Sequence, residues 1–150
     1  MVVRLQAHAF KKDPGDVTGA FLPLAEGDVV IIDSITICGL GYVDPSKFER
    51  AVVVSKFVPR VTKAVPVARR LYGDDRFREV AEEYLRRVKC FKRGPHKLCV
   101  APYGMDYQEA LKIIEERSVR RGLPEEVILA HELASAAGLW LTRAPSPLGS

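Results

Sequence analysis

The stretch Asp44-Pro45-Ser46-Lys47-Phe48-Glu49-Arg50-Ala51-Val52-Val53-Val54-Ser55-Lys56-Phe57 carries two opposed local signals. Asp44 and Pro45 form an N-cap and first-turn pair, which predicts that Pro45 to Phe57 starts as a helix. The β-branched run Val52-Val53-Val54 pulls the other way, because branching at Cβ restricts χ1 in a helix. Just before it, Gly39-Leu40-Gly41 marks the end of a sheet. Upstream, Val2 to Phe10 alternates apolar and mostly polar residues and reads as a strand. Asp13-Pro14-Gly15 is a turn, and Val17 to Leu22 a second short strand. Val29 to Cys38 is a central strand or a bent pair broken near Asp33-Ser34. Three such close-set segments predict an antiparallel meander.

Downstream, Pro66 is expected to begin a short helix ending at Gly73. Asp74 then caps a longer one from Asp75 to Phe91, with Phe77, Val80, Ala81, Tyr84 and Val88 on one stripe. Gly94-Pro95 makes a turn, and Lys97 to Ala101 returns as one more strand. Tyr107, Leu111, Ile114 and Val119 place a helix over Asp106 to Arg121, closed by Gly122. Leu123-Pro124-Glu125-Glu126 opens a last helix to about Trp140. The expectation is an α+β fold: a small, mainly antiparallel sheet, from an N-terminal meander plus one later strand, covered by helices, with a helical C-terminal third. Residues 1–143 form one domain in this reading, and residues 144–150, with Pro145 and Pro147, a flexible tail.

With 150 residues, 47% hydrophobic and 28% charged, the chain can bury a core, and disordered, collagenous and disulfide-scaffold classes are excluded. Its longest apolar runs, such as Val29 to Ile32 and Ala51 to Val54, are far below the roughly 20 residues of a membrane span. Met1 to Arg4 does not open a secretory signal, so a cytoplasmic location is expected. The chain has no asparagine and only two glutamines, Gln6 and Gln108, while Glu, Lys and Arg are plentiful, a balance that suggests a thermophilic source.

The net charge of +4 is unevenly spread: residues 1–46 carry −3, residues 47–97 carry +9 and residues 98–150 carry −2. Lys56, Arg60, Lys63, Arg69 and Arg70 form one block without an acid, and Arg86, Arg87, Lys89, Lys92, Arg93 and Lys97 a second. Such blocks neutralise phosphates, and interleaved aromatic rings offer faces for bases. Phe57, Tyr72 and Phe91 are the candidates for stacking, because each adjoins a basic block and none belongs to the stripe of Phe77, Val80, Tyr84 and Val88. The blander explanation is an ordinary solvated surface over core aromatics.

Several catalytic patterns fail. His131-Glu132-Leu133-Ala134-Ser135 places Ser135 where a zinc protease needs its second histidine. Gly39-Leu40-Gly41 is followed by Asp44 where a dinucleotide loop needs its third glycine, and no Gly-x-Ser-x-Gly elbow exists. No cofactor and no metal ligand set is therefore expected. The enzyme alternative is a metal-dependent nuclease using Asp28, Asp33 or Asp44, although positions 28 and 33 face opposite sides of a regular strand. Docking of an acidic protein partner is a further alternative. Cys38, Cys90 and Cys99 are read as buried free thiols, with a Cys90–Cys99 disulfide as the alternative. The last helix, apolar at Val127, Ile128, Leu129, Ala130, Leu133, Ala134, Ala136, Ala137, Leu139 and Trp140, either packs centrally or makes a homo-oligomer.

The basic block from Lys56-Phe57-Val58-Pro59-Arg60 through Arg69-Arg70-Leu71-Tyr72, the block Arg86-Arg87-Val88-Lys89-Cys90-Phe91-Lys92-Arg93 and the apolar helix Val127 to Trp140 give the chain a layout. It resembles that of the ThermoDBP-like single-stranded DNA-binding proteins of thermophilic archaea. The resemblance implies a small α/β domain with a basic, aromatic-bearing cleft, and C-terminal helices that assemble subunits. It implies non-catalytic binding of single-stranded DNA, with RNA an open alternative.

Overall fold

The computed structural model describes residues 6–120 and 122–143. The N-terminal half of the Val2 to Phe10 segment and the tail at 144–150 lie outside the described residues; residues 6–10 have no strand pairing. In order the elements are α1 (Thr18–Phe21), β1 (Val30–Ile32), β2 (Thr36–Ile37), β3 (Gly41–Tyr42), β4 (Ala51–Ser55), α2 (Val61–Tyr72), α3 (Arg76–Arg87), β5 (Lys89–Arg93), β6 (His96–Tyr103), α4 (Tyr107–Arg117), β7 (Ser118–Arg120), β8 (Leu123–Pro124) and α5 (Glu125–Arg143). The fold is α+β, with a sheet in the order β1-β4-β6-β5 and a helical C-terminal part.

The segment 44–57 resolves in favour of the valines. Asp44 caps as expected, its carboxylate accepting from the Ser46 amide at 3.0 Å, but the turn it starts is a single 3-10 turn over Pro45–Lys47. Ala51–Ser55 then forms β4, buried along its whole length. A strand covered on both faces needs no alternation, only a continuous apolar run, and β-branched residues fill it well. Thus a cap sets one turn, while burial makes the next residues a strand.

β1 runs parallel to β4, with Val30 beside Ala51 and Ile32 beside Val53. β4 is antiparallel to β6, and β6 to β5. The N-terminal meander is therefore corrected in detail: β1 finds its partner beyond β2 and β3, which make a small hairpin of their own. The expected strand Val17 to Leu22 is helical instead, α1 followed by a 3-10 turn at Leu22–Leu24. Asp16 explains the turn, accepting from both the amide and the hydroxyl of Thr18. The break near Asp33-Ser34 is present, and β1 is an edge strand.

Helices cover both faces. α2 and α3 close one, where Ala51, Val53 and Ala101 meet Val61, Ala68, Phe77, Ala81 and Tyr84. α4 closes the other, where Val52, Val54, Leu98 and Val100 meet Ala110 and Ile114. α2 starts before Pro66, which lies inside it, and stops at Gly73 in the left-handed conformation, φ 74°. α3 ends at Arg87, not Phe91, and the chain extends into β5, which the tight turn at Gly94 folds against β6. α4 is capped by Asp106 and ends at Arg117.

The free-thiol reading is corrected for two cysteines. Cys90 and Cys99 face each other across the β5–β6 hairpin, Cα atoms 4.0 Å apart, and form a disulfide. Cys38 is free but exposed rather than buried.

Candidate nucleic-acid interface

The strand register gathers part of the predicted set at one end of the sheet. Ser55, the last residue of β4, pairs with Cys99, and Lys97 lies directly opposite Lys92. Lys56 and Phe57 follow β4 there, and Arg93 and His96 close the adjacent hairpin. Ser55 donates its hydroxyl to the Phe57 carbonyl at 2.7 Å, so the chain bends sharply as it leaves the sheet. The bend puts the Phe57 side chain outside the core, 66% exposed. A phenyl ring held in water beside a lysine costs hydrophobic free energy unless something covers it.

Arg60 immediately precedes α2, and Lys63 lies in its first turn, which has no acid. The partial positive charge of that helix end adds to the two side chains. Lys63, Val67 and Arg70 follow at helical spacing and are all exposed, extending the basic surface by about 10 Å along α2. Lys56, Arg60, Lys63, Arg70, Lys92 and Lys97 have no acidic partner among the described residues. Arg93 is half buried, with Nη1 unpartnered inside the protein.

The rest of the predicted set serves other purposes. Arg69 Nε lies 3.4 Å from Asp75. Arg86 and Arg87 both bind Glu83, the latter with Nε 2.5 Å from the carboxylate, and these bonds hold the Glu83 carboxyl below its ordinary range. Arg87 also donates to the Pro102 carbonyl at 3.2 Å and lies over the Tyr103 ring. Lys89 covers the Tyr107 ring on the α4 side. Tyr72 packs against Tyr42, 6.2 Å between centroids, at the far end of α2. Phe91 packs half buried into the α4-side core. Of the three stacking candidates, Phe57 alone has a free ring face. The fourteen residues thus divide: seven bases and Phe57 lie at the sheet end and along α2, and the other six have partners elsewhere.

The three aspartates of the nuclease alternative lie on different segments around the sheet. Asp28 precedes β1 and Asp33 comes after it, while Asp44 caps a turn after the β2–β3 hairpin. No three His, Cys, Asp or Glu side chains among the described residues come together as metal ligands. Asp33 has His131 Nδ1 of α5 3.8 Å from its carboxylate. No helix among the described residues is long and apolar enough to cross a membrane.

Sequence reading missed a second exposed aromatic, Trp140, 71% exposed on α5. Its apolar neighbours left the helix either packed centrally or in an oligomer, and the helix's position leaves the ring exposed.

No protein-family model matches the chain. A UPF0215 protein from Sulfurisphaera tokodaii is 29% identical over 133 residues, which cover 86% of this chain and 72% of that protein. A solved structure from Archaeoglobus fulgidus, described as a protein of unknown function, superposes with a TM-score of 0.70 at 20% identity, over 85% of this chain and 78% of that one. That likeness shows the fold.

Proposed function

We propose that this is a non-catalytic, cytoplasmic single-strand nucleic-acid-binding protein of a thermophilic archaeon, preferring DNA and reading little sequence. The observation that carries the reading is Phe57: a largely exposed ring flanked by Lys56, Arg60 and Lys63, with Lys92 and Lys97 across the sheet end and none of these bases ion-paired among the described residues. Bases stack on such a ring irrespective of sequence, and the basic side chains neutralise the phosphates between them. Asp28, Asp33 and Asp44 do not come together as a three-ligand set among the described residues, which favours binding over metal-dependent cleavage.

Fluorescence anisotropy with labelled single-stranded DNA, duplex DNA and single-stranded RNA across a salt series tests the reading. Tight single-strand binding should weaken with salt at a slope of about −0.7 per phosphate contact. Phe57→Ala should weaken binding by about 1–3 kcal/mol with the fold intact, whereas Phe91→Ala should chiefly lower stability. Absence of binding to all three probes overturns the proposal and leaves an acidic protein as the partner for this surface. Magnesium-dependent shortening of the probe would instead establish cleavage.

A further inference from the structure

β5 is joined to the sheet along one edge only, through β6. Of its side chains Phe91 alone joins a hydrophobic cluster, while Lys89, Cys90 and Lys92 are exposed. Paired residues of neighbouring strands share a face, and alternate residues return to it. Ser55, Cys99 and Cys90 therefore form one row on the α2–α3 face of the sheet, and Lys97 and Lys92 form the next row of the same face. Ser55 also leads into the bend that exposes Phe57, so the lysine row lies at the end of the sheet from which that ring projects. The turn at Gly94, φ 57°, closes the hairpin just beyond the lysines. Like charges directly opposite each other push paired strands apart. Neither lysine has an acidic partner among the described residues to offset this. The Cys90–Cys99 bond, one row behind, is the covalent tie that holds β5 against the push.

We propose that this disulfide is a redox switch on the nucleic-acid-binding surface. Oxidised, it holds Lys92 and Lys97 side by side as a preformed site for a backbone phosphate; reduced, it releases the lysine row, and the end of β5 parts from β6. The inference rests on the binding reading above. A phosphate between two ammonium groups neutralises their repulsion, so the ligand favours the closed hairpin. In the reduced protein only the closed fraction binds well, and the apparent affinity falls by that fraction. The coupling is reciprocal, so bound nucleic acid must also make the disulfide harder to reduce.

The reductant is a dithiol. Cys90 is exposed and Cys99 buried, so attack falls on the Cys90 sulfur. The thiolate of the dithiol bonds to that sulfur, and the electron pair of the S–S bond leaves with Cys99, which takes up a proton. The second thiol of the reductant then displaces the Cys90 sulfur. The protein gains two electrons and two protons as two thiols, and the dithiol becomes its own disulfide.

Fluorescence anisotropy with labelled single-stranded DNA compares the oxidised protein with protein held reduced by a dithiol. Reduction should weaken binding about tenfold, with far-ultraviolet circular dichroism unchanged. Cys90→Ser should bind like the reduced protein whether or not dithiol is present. Lys92→Gln should bind more weakly in both states and lose most of the difference between them, because Lys97 then has no ammonium group to repel. In mixtures of reduced and oxidised dithiol, saturating single-stranded DNA should lower the reduction potential of the pair by about 30 mV, the same tenfold factor for two electrons. Equal affinity of the oxidised and reduced proteins, or a redox difference that Lys92→Gln preserves, overturns the inference while the binding reading stands. Binding by neither form overturns the binding reading and this inference with it.

Discussion

Helix α3 has twelve residues, most of them charged, and buries Phe77, Val80, Ala81 and Tyr84. Helix α5 has nineteen, most of them apolar, and buries Val127 while Leu139, Trp140 and Leu141 face outward. Apolar content therefore does not decide which helix holds the domain together. The deciding factor is whether the apolar residues lie in one stripe that matches a surface already formed by the sheet. In α3 the four buried residues recur at helical spacing over β4 and β6, and the charges pair among themselves, as Arg78 does with Glu82 and Arg87 with Glu83. In α5 the apolar residues run round most of the circumference, and the domain can cover one side.

The contrast breaks most visibly under truncation. Phe77→Ala or Tyr84→Ala in α3 should cost about 3–5 kcal/mol of unfolding free energy. Leu139→Ala in α5 should stay within about 0.5 kcal/mol; chemical denaturation of dilute protein measures both. A comparable loss at Leu139 would mean that α5 belongs to the core after all.

A smaller effect tests the hairpin that β5 and β6 form after α3. The Cys90–Cys99 bond closes a loop of nine residues in sequence, and removing that constraint by a dithiol should lower stability by about 2–3 kcal/mol. Hydrogen exchange should quicken in β5 and leave the α5 amides unchanged.

The smallest effect is electrostatic. Hydrogen bonds from Arg86 and Arg87 keep the Glu83 carboxyl below its ordinary range. A group depressed on folding stabilises above its unfolded pKa, and that contribution disappears as pH falls through its folded value. Glu83→Gln should therefore remove about 0.5 kcal/mol at neutral pH and nothing in strong acid, since the carboxylate is partly exposed and water screens the pair. Denaturation midpoints across an acid titration resolve the difference.

The sequence reveals the helical stripe of α3, the cap at Asp44, the start of α4 near Asp106 and the turn at Gly94, because each depends on neighbours a few residues apart. It conceals β4, since the same Asp44-Pro45 pair starts either a helix or a single turn, and the choice depends on β1 and β6 arriving on both sides. Extending α3 to Phe91 hides a further fact. Once β5 and β6 are read as a hairpin about Gly94-Pro95, the register alone sets Cys90 opposite Cys99. The candidate site is legible as charge but not as surface. Both basic blocks are plain, yet the acid beside Arg86 and Arg87, the ring beneath Lys89 and the burial of Phe91 depend on how the chain folds around them.

β5 is the outermost strand on its side of the sheet, so a row of backbone N–H and C=O groups lies open along it. Open edges invite another molecule's strand, and long runs of such additions become fibres. Lys89, Lys92 and Arg93 are spread along this short strand, and a second β5 laid against it would bring like charges close together. Concentrated protein should therefore resist growth into fibres at this edge.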